Sequence, residues 1–170
     1  TLLGELRGYA STLDAFRVTD PAPDQRGAIA AMRGALNDAN LAPEDIGYVN
    51  AHGTGTRKND PAETRALRAV FGAHLDRLPV SSTKSQVGHL IGAAGAVEAA
   101  ATLLCLAAGF LPATINLEQV DAECLLDHVQ GAPRRSAARW ALSNSFGFGG
   151  QNASLIIGGP EAAAHDGKGT

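Results

Sequence analysis

The stretch Ile46-Gly47-Tyr48-Val49-Asn50-Ala51-His52-Gly53-Thr54-Gly55-Thr56, with Asp60-Pro61 shortly after it, decides the fold class. Ile46 to Ala51 is a short apolar run that reads as a strand. A polar, glycine-rich loop follows, with His52 at the strand's C-terminal end. A helix then starts: Asp60 is a good N-cap, Pro61 fits the first helical position and Glu63 completes a box-like pairing. Leu67, Val70 and Phe71 form its buried side. Strand, polar loop and helix in succession are the unit of an α/β fold, whose chemistry sits at strand C-termini.

Working outward, the same alternation recurs. Leu2 to Thr12 reads as a strand with Leu6, Gly8 and Ala10 on one face. After Asp20-Pro21-Ala22-Pro23, Asp24 can cap a helix that aligns Ile29, Met32 and Leu36 and stops near Asn40. Leu78 to Ser82 reads as another strand, followed by a polar loop through His89. A long alanine-rich helix spans about Gly92 to Ala108. Trp140 to Asn144 and Ala153 to Ile157 close the chain as a hairpin-like pair. One domain over residues 1–159 is expected, with 160–170 a disordered tail.

The bulk properties agree with a soluble globular domain. Of 170 residues, 45 % are hydrophobic and 18 % charged, while aromatics make up only 5 %, so aliphatic side chains must build the core. The formal net charge is −3 and the Lys and Arg residues are scattered, which speaks against nucleic acid as a partner. The apolar run Leu90–Ala113 is interrupted by Glu98 and ends at Gly109 and Pro112, so a helix buried in a soluble protein is expected rather than a membrane span. Cys105 and Cys124 fit neither a metal spacing nor a disulfide framework, and a reducing, cytoplasmic setting is expected, with no signal peptide at the start.

Three loops hold the reactive groups: Asn50 to Thr56, Lys84-Ser85-Gln86-Val87-Gly88-His89, and Asn144-Ser145-Phe146-Gly147-Phe148-Gly149-Gly150-Gln151-Asn152. Each sets a donor or a reactive side chain beside glycine, which lets backbone approach a ligand. His52 or His89 alone is as well explained by a hydrogen-bonded histidine as by catalysis. Their shared Gly/Thr context favours a two-histidine site. His74 reads as a solvated turn residue, and His128 and His165 lack a supporting pattern. The last loop is neither G-x-G-x-x-G nor a P-loop, and no third ligand accompanies the histidines, so no metal is expected. Cys105 reads as a small hydrophobe, and the acidic loop around Cys124 should raise its pKa.

Together and in this order, His52-Gly53-Thr54-Gly55-Thr56, Lys84-Ser85 with Gly88-His89, and Asn144 to Gly150 resemble the β-ketoacyl synthases of fatty-acid and polyketide assembly, most of all the elongating synthase II type. The resemblance runs from about Leu3 to Gly158. It implies a thiolase-like fold of two α/β halves, of which this chain matches the C-terminal half: a mixed sheet flanked by helices, one of them buried. It implies acyl transfer from acyl carrier protein to a cysteine of the N-terminal half, then decarboxylative condensation with malonyl-carrier protein. His52 and His89 match the two catalytic histidines. Lys84 matches an organising lysine, paired with Glu98. Thr54 and Thr56 match the residues that bind the pantetheine arm, and Phe148 matches the gate of the acyl pocket. No cofactor is implied, because phosphopantetheine arrives on the carrier. The implied partners are that carrier, the N-terminal half, and a second ketosynthase subunit in a homodimer or heterodimer. A priming decarboxylase or a chain-length partner subunit is the alternative; retention of both histidines and Lys84 argues against the latter.

Overall fold

The computed structural model describes residues 2–160 and 162, so the expected tail and His165 lie almost wholly outside the described residues. A mixed six-stranded sheet has the order β1-β8-β7-β2-β3-β5. Its strands are β1 (Glu5–Leu13), β2 (Ile46–Asn50), β3 (Pro79–Ser81), β5 (Asp127–His128), β7 (Trp140–Gly147) and β8 (Gln151–Gly158). A small second ladder joins β4 (Phe110–Leu111) to β6 (Arg134–Arg135). β7, β2, β3 and β5 run parallel, while β8 turns back against β7 and pairs with β1.

Side-chain alternation divides the core. Val49, Leu142 and Ile156 point to one face and pack with Met32, Leu36, Leu67 and Phe71 from α1 (Arg26–Ala39) and α2 (Asn59–Phe71). Their neighbours Tyr48, Ala141 and Ile157 point to the other face and meet Leu106, Ala99 and Leu103 of α4 (Ala94–Ala108). Adjacent residues of each strand therefore serve different cores, the expected consequence of a period of two.

Several local expectations change. The first strand begins at Glu5, and its register slips between Leu6 and Gly8, a bulge at Arg7. The bulge moves Leu6 off the face of Gly8 and Ala10, so Leu6 is exposed with Tyr9 and Leu13. Gly8 sits against α1, where an added Cβ would lie 2.3 Å from the carbonyl oxygen of Ala35. Gln25, not Asp24, occupies the N-cap position of α1, although Asp24 Oδ1 accepts the Arg26 N–H at 3.3 Å. α2 starts at Asn59, so Asp60 and Pro61 lie inside its first turn. Part of the polar loop before His89 is a single helical turn, α3 (Lys84–Val87). The final hairpin strands are longer than expected, because their pairing continues to Gly147 and Gln151.

The largest correction concerns α4. Its buried side is the polar one, Glu98 and Thr102 with Ala94, Cys105 and Leu106, while Leu104 is 56 % exposed and Val97 also faces outward. Ile91–Ala108 is apolar and long enough to cross a membrane by composition, with mean hydropathy 1.8, yet only 28 % of it is buried here. The helix packs on the sheet by one side and is not enclosed.

Candidate active site

Parallel strands bring the three loops together. Asn50 is in register with Ser81 of β3 and Ser143 of β7, so the chain leaves all three strands at the same sheet edge. His52, the α3–His89 segment and the Phe146–Gly150 turn emerge there. The His52 and His89 rings lie 5.6 Å apart, nearly perpendicular at 86°. Phe146 flanks His52 at 5.7 Å, half-buried. Both histidines line an open trough of about 1190 Å³ that also touches Tyr9, Leu13, Ile91 and Phe148. On the other side of the Thr54–Thr56 segment is a hollow of about 500 Å³.

The two histidines are held differently. His52 is 7 % exposed, and its backbone is fixed by Glu63: the N–H groups of His52 and Gly53 donate to the two carboxylate oxygens, each at 2.9 Å. Asn144 Nδ2 donates to the same carboxylate at 3.1 Å, and Ser154 Oγ donates to Asn144 Oδ1 at 2.8 Å. Gly53 has φ +42°, and an added Cβ would meet the Ser82 side chain at 2.6 Å, so the turn after His52 requires glycine. Burial pushes the His52 pKa down to about 3, helped by the charge of Lys84 and by His89, which keeps the ring neutral. Its Nδ1 is buried with no hydrogen-bond partner among the described residues. His89 is exposed, and its Nδ1 accepts the N–H of Ile91 at 3.1 Å. That bond leaves the proton of a neutral ring on Nε2.

Lys84 Nζ lies 2.6 Å from Glu98 Oε1, with both side chains at most 5 % exposed, so the pairing expected from sequence is formed. It joins α3 to α4 beneath the histidines. Asn50 extends the link, donating to Thr102 Oγ1 at 3.0 Å and to the Glu98 carbonyl at 3.3 Å. Thr54 and Thr56 share a hydrogen bond at 3.0 Å at the exposed rim. Phe148 is 77 % exposed at the tip of its turn. The turn is tied down on both sides: Gly149 N–H donates to the Val18 carbonyl at 2.6 Å, and Asp14 N–H donates to the Gly150 carbonyl at 2.8 Å.

All seven residues selected from sequence therefore line or support one edge of the sheet. Glu63 was misread. It sits where a capping-box acid belongs, but its carboxylate reaches across to the β2 loop instead of its own helix. Burial raises its pKa, opposed by the Gly53 and His52 amides and by Asn144. Its buried partner Asn144 and the tie from Asp14 were missed as well; an acid two residues after Pro61 was the only signal available. His74 is half-buried rather than solvated, with Nε2 2.9 Å from the Ile46 carbonyl and its ring near Phe71. Both cysteines are buried and their pKa values are raised, chiefly by burial; acidic neighbours add to this at Cys124.

Residues 3–118 match the family model of the β-ketoacyl synthase C-terminal domain, and the chain belongs to the β-ketoacyl synthase family. Within it, the chain is 51 % identical over 156 residues to a 3-oxoacyl-[acyl-carrier-protein] synthase 2 from Synechocystis sp., covering 92 % of this chain and 38 % of that protein. The fold superposes on a ketosynthase bound to a hexaketide and in complex with its type II PKS acyl-carrier protein, with TM-score 0.88, 33 % identity, and 92 % and 38 % of the two chains covered. It also superposes on a ketosynthase in complex with its chain length factor from Xenorhabdus doucetiae, with TM-score 0.82, 38 % identity, and 94 % and 40 % covered. The thiolase-like α/β architecture expected from the motifs is thereby established. The chain spans about two fifths of the length of these relatives.

Proposed function

We propose that this chain is the malonyl-decarboxylating half of a 3-oxoacyl-[acyl-carrier-protein] synthase in fatty-acid or polyketide elongation. The observation that carries this reading is the pair of imidazoles, His52 and His89, 5.6 Å apart along one trough. The malonyl thioester oxygen accepts N–H bonds from both rings. His89 presents Nε2–H, and at His52 a proton on Nε2 avoids a buried N–H at Nδ1 without an acceptor. As the bond to the carboxylate breaks, carbon dioxide leaves and its electron pair forms the enolate, whose oxygen both donors stabilise without a metal. Each such preorganised donor is worth about 10²- to 10³-fold in rate.

The enolate carbon then attacks an acyl thioester, and the tetrahedral intermediate expels a thiolate. Neither buried cysteine of this chain suits that thiolate, so it comes from the N-terminal part of the synthase. Support for this comes from Leu6, Tyr9 and Leu13 of β1, apolar side chains that stay exposed. Lys84, paired with Glu98, sets a positive charge that opposes protonation of His52. Thr54 and Thr56 hydrogen-bond the pantetheine arm, and Phe148 gates the acyl pocket. Acyl carrier protein is the substrate-bearing partner, and the synthase pairs with a second ketosynthase subunit.

The test is malonyl-carrier decarboxylation and condensation by this chain completed with the N-terminal part of the Synechocystis relative. His52→Ala and His89→Ala should each lower decarboxylation about 10²- to 10³-fold. Unchanged rates in both variants would sink the reading, as would condensation by the chain alone.

A further inference from the structure

α3 (Lys84–Val87) is a single turn, too short to be stable through its own backbone bonds, yet it carries Lys84 and leads straight to His89. Gly88, at φ +78°, is all that separates the turn from His89, and a glycine imposes little direction by itself. The place of His89 therefore depends on what holds α3. On one side that is the pair of Lys84 with Glu98 of α4. The other side carries a second set of bonds, which the proposed reaction does not use.

The segment after β4, Ala113–Ile115, runs beside α3 and meets it in three places. Just before the turn, the Ser82 N–H donates to Thr114 Oγ1 at 2.9 Å. Within the turn, Ser85 Oγ accepts the Ile115 N–H at 3.0 Å and donates to the Ser82 carbonyl at 2.9 Å. Gln86 Nε2 donates to the Ala113 carbonyl at 2.7 Å. Two side chains of one four-residue turn thus bond to the same segment.

That segment is itself fixed. Ala113 is buried in the second core, and the Thr114 N–H donates to the Val129 carbonyl at 2.9 Å. The Val129 N–H in turn donates to the Val80 carbonyl of β3 at 3.0 Å. β3 pairs with β2, the strand that ends at His52, so the buttress belongs to the sheet that carries the first histidine. Ser85 is half-buried and Gln86 exposed, so neither fills the core; what they contribute is direction.

From this geometry we infer that Ser85 and Gln86 are positioning residues, whose bonds to the Ala113–Ile115 segment hold α3 so that His89 stands opposite His52. The expected effect on rate rests on the proposed decarboxylation; the expected effect on geometry does not. Neither residue touches the reacting atoms, and both act through His89.

The experiment compares the completed synthase with its Ser85→Ala/Gln86→Leu, Gln86→Leu and Ser85→Thr variants. In a crystal structure of the double variant, the 5.6 Å separation of the His52 and His89 rings should change by about 1 Å or more. A displacement of that size should lower kcat for malonyl-carrier decarboxylation about 10²-fold. KM should be unchanged, because Thr54 and Thr56 are untouched. Gln86→Leu alone leaves the Ser85 bonds and should lower kcat about tenfold. Ser85→Thr keeps the hydroxyl and should stay within about twofold of the parent.

A double variant with the parent ring separation would overturn the inference. So would a displaced ring with the parent kcat, or Ser85→Thr as impaired as the double variant. Should the double variant fail to fold, Gln86→Leu decides by the same two measurements, since its side chain is exposed. If the completed parent lacks decarboxylation, the proposed function fails while the ring separation still decides the roles of Ser85 and Gln86.

Discussion

The two faces of the sheet are built by opposite rules. On the face covered by α1 and α2 the interior is conventional: Met32, Leu67, Phe71, Val49, Leu142 and Ile156 are buried together, and the polar groups there, Glu63, Asn144 and Ser154, form a closed network. On the opposite face α4 turns Glu98 and Thr102 inward and leaves Val97 and Leu104 outward, and beside it Tyr9 and Leu13 of β1 are uncovered. A helix with charge inside and leucine outside makes sense only if both sides are interfaces. The first face is closed within this chain; on the second, apolar side chains stay uncovered, and the chain spans 38 % of its Synechocystis relative.

The strongest challenge to this comparison is to cut the polar anchor under α4. Glu98→Ala leaves the Lys84 ammonium buried without its partner and should cost about 3–5 kcal/mol in urea unfolding. A cost below about 1 kcal/mol would mean that α4 is merely laid on the surface. On the finished face, Met32→Ala opens a cavity in a closed core and should cost about 3 kcal/mol by the same measurement. Next comes Glu63→Gln, which replaces one of two accepting oxygens by a donor opposite the His52 and Gly53 amides. A loss of about 1–3 kcal/mol is expected, with a shifted His52 backbone amide resonance.

pH separates the buried histidine from its surroundings. His52 has a folded pKa of about 3, lowered by burial, Lys84 and His89, against about 6.5 when unfolded. Between those values the unfolded chain binds more protons, so stability is full above about pH 6.5 and falls as the pH drops toward 3. The slope from this one group reaches up to about 1.4 kcal/mol per pH unit. His52→Gln should flatten the pH profile by that amount; an identical profile would show that His52 is solvated. The smallest effect distinguishes the faces most sharply. Leu104→Ser should change the stability of this chain alone by less than about 0.5 kcal/mol, since the side chain is already largely in water. In the completed synthase the same substitution should cost about 2 kcal/mol or more, and equal costs in both settings would refute a covered α4 face.

Much of this could be read from the chain. Strand-loop-helix punctuation around Ile46–Pro61 gave the α/β class, and glycine-flanked loops pointed to His52 and His89, because turns and close approaches leave local signatures; Lys84, Thr54, Thr56 and Phe148 came from the family resemblance. Glu98 was found as a charge inside an apolar run. What had no local signature was missed. A glutamate in a first helical turn looks the same whether it caps its own helix, as expected of Glu63, or crosses to another strand, as it does. A single bulge at Arg7 reverses the facing of Leu6, and no period-two pattern announces it.

The sequence by itself determined the order of elements and the inventory of reactive groups, since both depend on neighbours within a few positions. Only the tertiary structure decided that the histidines meet at 5.6 Å, which amide fixes which ring nitrogen, and that α4 is polar within and apolar without. Those outcomes depend on parallel strand register and on which surfaces remain uncovered. They belong to pairs of segments tens of residues apart, and no single stretch of chain contains them.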